Sequence, residues 1–250
     1  MIKLFVLFIF TSLPLTTYSN EGFTWLSTVK ASTGIPEHVL SFIFIVLCIL
    51  IVGLWYRISL IASPNSINPD KKISIRSMMD MYGKFIFSQA LLVMGEEKAK
   101  QCFSFVSIIF LIIFFSNLIG LIPGIMPPTE HMSTTLALGV FSFVFYNLKG
   151  VRAHGILNYL KHFAGPLWYM SFLIFPIELV SHLFRPITLS LRLRGNIMGD
   201  HLVLTTFYDL VPVGVPIIFL FFGLMVSFIQ AYVFTTLSMV YISLATKHDH

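Results

Sequence analysis

The sequence predicts an all-α polytopic membrane protein: about five membrane helices, the last two long and steeply tilted, plus an amphipathic helix on the cytoplasmic surface. Three observations lie behind this. Of 250 residues, 56% are hydrophobic and only 11% charged, whereas a soluble domain carries about 25% charged residues to keep its surface in water. Apolar runs recur that are long enough, at about 18 residues or more, to cross a hydrocarbon core about 30 Å thick. Of the 16 Lys and Arg, all but Arg185, Arg192 and Arg194 fall between those runs or near a terminus. Such a chain cannot clothe a water-soluble globule. That excludes a cytosolic enzyme, a disordered protein and a nucleic-acid binder, and the net charge of +5 reads as orientation charge.

The whole chain, 1–250, reads as one membrane domain. Lys3, the apolar run 4–10 and the small polar stretch 11–19 have the n- and h-regions of a secretory signal, with a poor cleavage site at Thr17-Tyr18-Ser19. Residues 1–19 therefore read equally as a cleaved signal peptide or an uncleaved anchor, and both place the next segment outside. Residues 39–56 form the first span, closed by the interfacial anchor Trp55-Tyr56-Arg57. Across 77–100, Met78, Tyr82, Phe85, Ile86, Gln89 and Val93 recur at helical spacing and lead into Glu96-Glu97-Lys98, the pattern of a helix lying on the membrane surface. Residues 102–122 and 132–148 are the next two spans, separated by a turn rich in Pro and Gly.

The remaining tracts, 167–210 and 217–246, are joined by a loop at 209–216. Thirty residues make about 45 Å of helix, longer than the core is thick, so both tracts predict tilted helices. With 57–101, 149–162 and the C-terminus on the cytoplasmic side, that side holds Arg57, Lys71, Lys72, Arg76, Lys84, Lys98, Lys100, Lys149, Arg152, Lys161 and Lys247. Only Lys30 and Lys3 remain outside, a clear positive-inside signal. Cys48 and Cys102 form no CxxC or zinc spacing, and nothing in the chain calls for a metal or cofactor.

Charge returns in the tract 167–210. At 100° per residue, Glu178, His182, Arg185, Arg192, Asn196 and Asp200 share one stripe about 80° wide, with Arg194 and His201 on the other side. A charge at mid-membrane costs about 2.5–3.5 kcal/mol on insertion scales, so these groups need a function or partners. Two bland readings suit Arg185: an ion pair with Glu178 that merely fixes packing, or a snorkelling side chain at a helix end. Arg192, deeper and beside Asn196, points to function. On the last helix Gly223, Ser227 and Tyr241 fall on the face of Gln230, which reads as part of a wet groove or as glue between helices. Glu and His side chains exchange protons, whereas a guanidinium stays charged. A permanent cation set among titratable groups describes a proton path with an electrostatic barrier in its middle.

At Ser190-Leu191-Arg192-Leu193-Arg194-Gly195-Asn196 the chain resembles subunit a of F-type ATP synthases, the ATPase subunit 6 family. Supporting stretches run in the family's order over roughly 80–245. They are Asn117-Leu118-Ile119-Gly120-Leu121-Ile122-Pro123-Gly124, Pro127-Pro128-Thr129, Thr134-Thr135-Leu136-Ala137-Leu138, Pro176-Ile177-Glu178 with Arg185-Pro186, Gln230-Ala231-Tyr232-Val233-Phe234 and Val240-Tyr241-Ile242-Ser243. The resemblance implies two tilted helices wrapping a ring of c subunits, with the b-subunit peripheral stalk, the rest of the synthase and the lipid bilayer as further partners. It places the family's indispensable arginine on Arg192, its asparagine on Asn196 and its facing glutamine on Gln230. The cytoplasmic relay acid falls on Glu178 and the outer relay on His201.

By the same resemblance, protons would enter an outer half-channel lined by His201, Asp200 and Asn196 and protonate a c-subunit carboxylate. After a turn of the ring they would leave past Glu178, with Arg192 blocking direct leakage. His182 joins this path as a titratable group on the stripe. Two positions depart from the family's pattern: Arg194 adds a second cation, and Gly223 stands where the outer relay often has a partner. The alternative function is a stand-alone proton or ion channel or secondary transporter. An intramembrane protease lacks its motifs, and no catalytic site of its own is expected. A signal-like N-terminus favours a bacterial plasma (inner) membrane, with the mitochondrial inner membrane as the alternative.

Overall fold

The structure, a computed structural model, describes residues 30, 34–62, 75–122, 125–155, 159, 171–210 and 215–246. The segment 1–19, with its signal-or-anchor reading, lies outside the described residues, as do most of the loops. Among the described residues six α-helices follow in order: α1 (Glu37–Ala62), α2 (Ile75–Met94), α3 (Glu96–Leu118), α4 (Met132–His154), α5 (Ser171–Leu210) and α6 (Val215–Ala245). Two 3-10 turns, Ile119–Leu121 and Pro128–Glu130, bracket the α3–α4 connection. Every regular element among the described residues is helical, as a chain without water to satisfy its backbone requires.

Among the described residues four stretches are long and apolar enough to cross a membrane: Glu37–Ile61, Glu96–Leu121, Met132–His154 and Ile217–Ala245. The first three are longer than the apolar runs that announce them, because flanking polar residues continue the helix. Glu37 opens α1 in its first turn, where a carboxylate suits the positive end of the helix dipole, and its carboxylate lies 3.5 Å from the Lys30 ammonium. Lys149 and Arg152, expected in a loop, are carried on the last turns of α4, and Gly155 at φ 78° stops that helix.

One boundary differs from the sequence reading. The periodic stretch 77–100 is not one helix: Gly95, at φ 78°, breaks it, and Glu96, Glu97 and Lys98 open the next span. Only glycine takes that backbone region readily. α2 itself packs back on the bundle. The Tyr82 hydroxyl donates to the Ser107 carbonyl at 2.7 Å, the Tyr232 hydroxyl donates to Gln89 Oε1 at 2.9 Å, and Ile86, Ala90 and Met94 are buried.

α3 is the centre. Its Phe105, Val106, Ile109, Phe110 and Ile113 share one buried cluster with Leu138 and Tyr146 of α4, Leu189 and Leu193 of α5, and Phe234 and Met239 of α6. Phe105 stacks on Phe145 with ring centroids 3.5 Å apart, and the Ser142 and Ser238 hydroxyls bond at 2.9 Å between α4 and α6. Outward, α1 shows Phe44, Leu47, Ile51 and Trp55 and α6 shows Phe221, Phe222 and Ile229. Such faces suit lipid tails rather than water.

α5 runs unbroken for 40 residues through Pro176 and Pro186, about 60 Å of helix. Pro186 is tolerated where α4 comes closest. The Ser190 hydroxyl lies 2.6 Å from the Pro186 carbonyl and 3.0 Å from the Thr135 carbonyl, and a Cβ on Gly139 would meet the Pro186 oxygen at 2.7 Å. α5 and α6 form an antiparallel hairpin with one register throughout. Arg185 stacks over Tyr241, Asn196 bonds Gln230, and Phe207 stacks on Phe219. From Arg185 to Phe207 is about 33 Å at 1.5 Å per residue, close to the ~30 Å thickness of the hydrocarbon core.

Candidate functional site

The buried edge of α5 is the row His182, Pro186, Leu189, Leu193 and Ile197, three and four residues apart and so on one face. Of the charged stripe only His182 falls on that row; Glu178, Arg185, Arg192, Asn196 and Asp200 lie beside it. Its members therefore end in different places, and the structure separates what the helical wheel grouped.

At the middle of the hairpin, Asn196 Nδ2 donates to Gln230 Oε1 at 2.8 Å. Asn196 is the midpoint between Arg185 and Phe207, about 17 Å of helix from each. Gln230 is buried at 4% exposure. Arg192, one turn before Asn196, is exposed on the outer face of the hairpin, and no carboxylate among the described residues pairs with it. Gly195 and Gly199 lie on the same open face, where an added Cβ would meet nothing within 4 Å. The surface around the arginine is smooth.

Toward one end, Glu178 Oε1 lies 3.8 Å from Arg185 Nη2, the pairing considered for Arg185, and the guanidinium sits 5.1 Å from the Tyr241 ring centroid. His182 leaves the stripe. It is buried, its Nε2 is 2.9 Å from Asn147 Oδ1, and it meets the Tyr146 ring edge-on. The Tyr159 hydroxyl donates to the same Asn147 oxygen at 2.8 Å. With Nε2–H as donor His182 holds α5 to α4, and Asn147 and Tyr159 were not flagged by the sequence because their partner is distant in the chain. Tyr159 lies outside the spans, and burial raises its phenol above the usual value while Arg185 opposes.

Toward the other end, Asp200 and His201 line a cleft with Asn117, Gly120, Gly223 and Ser227. The wheel put His201 on the side opposite Asp200; adjacent residues on a helix edge both reach the cleft. His201 Nε2 lies 3.2 Å from the Gly120 carbonyl and Nδ1 lies 3.5 Å from Glu130 Oε2. Arg194, the second cation, donates from Nε to the Glu130 backbone carbonyl at 3.1 Å. Glu130 went unnoticed in the sequence, although it directly follows Pro127-Pro128-Thr129. Next to it, His131 stacks on His38 at 4.4 Å. Burial holds the His131 imidazole below its ordinary value; Glu130 pulls it up and Arg194 pushes it further down.

All seven residues singled out from the sequence are placed: Arg192, Asn196 and Gln230 at the centre, Glu178 and His182 toward one end, Asp200 and His201 toward the other. No group of three or more metal-ligating side chains occurs among the described residues.

Comparison with known proteins identifies the family. Subunit a of ATP synthase from Bdellovibrio bacteriovorus is 42% identical over 229 residues, which cover 92% of this chain and 100% of that protein. The subunit a of Geobacter sulfurreducens is 40% identical over 206 residues, 82% of this chain and 86% of its own length. That of Sorangium cellulosum is 39% identical over 209 residues, 83% and 80% of the two chains. The family model described as ATP synthase A chain matches residues 39–243, so the chain belongs to that family.

Proposed function

We propose that this chain is the proton-translocating stator subunit of the membrane sector of an F-type ATP synthase, a single membrane domain that presents two half-channels to a ring of c subunits. The observation that carries this reading is the Asn196–Gln230 bond between the two long helices of the hairpin, with Arg192 exposed beside it and Glu178 and His201 on either side along α5. A cation at the midpoint attracts a rotor carboxylate as it arrives ionised, and its charge repels a proton that would cross between the ends without the rotor. Gly195 and Gly199 leave room for a rotor helix to pass close to the backbone.

Asp200 and His201 line the outer half-channel. Glu178 receives the proton on the cytoplasmic side, where its ion pair with Arg185 opens and closes as it titrates. The membrane field, about 2.3 kcal/mol per charge per 100 mV, supplies the drive. The b-subunit peripheral stalk holds the chain against the turning ring. The protein lies in a bacterial plasma membrane with its C-terminus in the cytoplasm.

The test is ATP synthesis by the assembled complex in vesicles. Arg192→Ala abolishes synthesis driven by a proton gradient, and Arg192→Lys fails as well, since a buried ammonium can lose its proton where guanidinium does not. Retained synthesis in Arg192→Ala overturns the assignment. Co-purification of a ring of small two-helix subunits separates this reading from a channel that works alone.

A further inference from the structure

Resting on the two-half-channel reading above, we propose that Glu130, on the 3-10 turn before α4, is the acid that takes up the incoming proton and passes it to His201. On α6 the cleft beside His201 is lined by Gly223, which carries no side chain and lies against the Leu121 side chain. The carboxylate comes instead from the turn. Glu130 Oε2 is 3.5 Å from His201 Nδ1, within ion-pair range and one side-chain rotation from hydrogen-bond distance. That oxygen is sealed from solvent and accepts no hydrogen bond from the described residues, an orphaned acceptor that a proton would satisfy.

The tautomer fits. His201 Nε2 faces the Gly120 carbonyl at 3.2 Å, and a carbonyl only accepts, so Nε2 carries the hydrogen and Nδ1 is the basic nitrogen that meets the acid. In the transfer the O–H bond of protonated Glu130 breaks and the N–H bond at Nδ1 forms. This leaves a carboxylate beside an imidazolium. The imidazolium then releases a proton to the next base along the cleft, which Asp200 also lines, and returns to neutral.

Arg194 positions the acid. Its Nε donates to the Glu130 carbonyl, and the buried Thr129 hydroxyl donates to Asn117 Oδ1 at 2.9 Å, so the turn is tied to α5 and α3. The charged and titratable groups around the pair are Arg194 and Asp200 from α5, the adjacent His131, and His38 and Glu37 from α1, with Lys30 on Glu37.

The experiment measures ATP synthesis by the complete complex in vesicles, as a function of pH on the proton-entry side at fixed membrane potential. Glu130→Gln should assemble, slow synthesis about tenfold and remove one step from that pH profile. A committed general acid contributes roughly a hundredfold or more, and water can shunt part of the flux here. His201→Gln should lose as much, and the double variant no more than either single, since the two act as one relay. Parental rate and pH profile in assembled Glu130→Gln overturn the proposal, as do losses that add in the double variant. If Glu130→Gln does not assemble, Glu130→Asp decides: near-parental synthesis supports the relay, and a second failure to assemble assigns position 130 to packing and overturns it. Arg192→Ala in the same vesicles separates the readings. Loss there with an unaffected Glu130→Gln sinks only the relay, whereas retained synthesis there sinks both.

Discussion

Asn196 and Gln230 stand 34 residues apart in sequence and meet across the hairpin at 2.8 Å. Both are costly in a membrane unless they find each other. Hydrogen bonds between membrane helices are nevertheless modest, averaging about 0.6 kcal/mol and reaching about 1.7. Asn196→Ala should therefore lower resistance to unfolding in mixed detergent by roughly 0.6 kcal/mol, while proton-driven ATP synthesis falls much further. A loss of synthesis no larger than the loss of stability would make the pair structural glue and nothing more. His182 shows the converse. It shares the stripe of Arg192 by the helical wheel, yet it is buried against Asn147 and Tyr146 of α4. Periodicity places a residue on a face; which helix covers that face is decided elsewhere.

The elements differ in how closely they approach their neighbours, and glycine marks the difference. Gly139 of α4 faces α5 so tightly that a Cβ would lie 2.5 Å from Ser190 Oγ and 2.7 Å from the Pro186 carbonyl. Gly195 of α5 faces open space. The same substitution should then fail in opposite ways. Gly139→Leu forces α4 and α5 apart, costs about 1–3 kcal/mol or more and lowers the amount of assembled chain in the membrane. Gly195→Leu gains helix propensity, roughly 0.8–1 kcal/mol, and leaves the amount of chain unchanged, but it obstructs the rotor and so reduces ATP synthesis. Quantifying membrane-extracted protein beside synthesis rates checks both; normal synthesis in Gly195→Leu would remove the rotor from that face. α2 and α3 show how one residue redraws an element. Continuous helical periodicity runs through 77–100, and Gly95 at φ 78° divides it.

Across the whole molecule the two ends have different chemistry. At one end Lys98 Nζ donates to the Thr246 carbonyl at 2.8 Å, and Gly150 lies against the Ala245 backbone, so the start of α3 and the ends of α4 and α6 meet there with Lys98, Lys100, Lys149 and Arg152. At the other end gather Glu37, His38, Glu130, His131 and His201. By the positive-inside rule the proposed orientation puts the basic end in the cytoplasm. In a background without Cys48 and Cys102, Thr246→Cys should react with a membrane-impermeant maleimide from the cytoplasmic side and Met126→Cys from the opposite side. Labelling of both from one side would reject this orientation.

The sequence by itself determined the class of protein and its family, and it singled out Arg192, Asn196 and Gln230. The class and those three residues rest on the cost of polar groups in hydrocarbon, which a single chain already displays: an Arg, an Asn or a Gln in an apolar tract is conspicuous wherever it folds. Only the tertiary structure decided which of those groups meet. The Pro-rich turn carrying Glu130 looks like any polar loop, and its partner His201 lies 71 residues downstream at 3.5 Å. Arg194 reads as an unexplained extra cation until α5 lies beside that turn. Gly223 reads as a missing partner until Leu121 fills the space. Solvation is a local property of a side chain and can be read along the chain, whereas a contact between distant segments depends on how helices cross, which no linear pattern records.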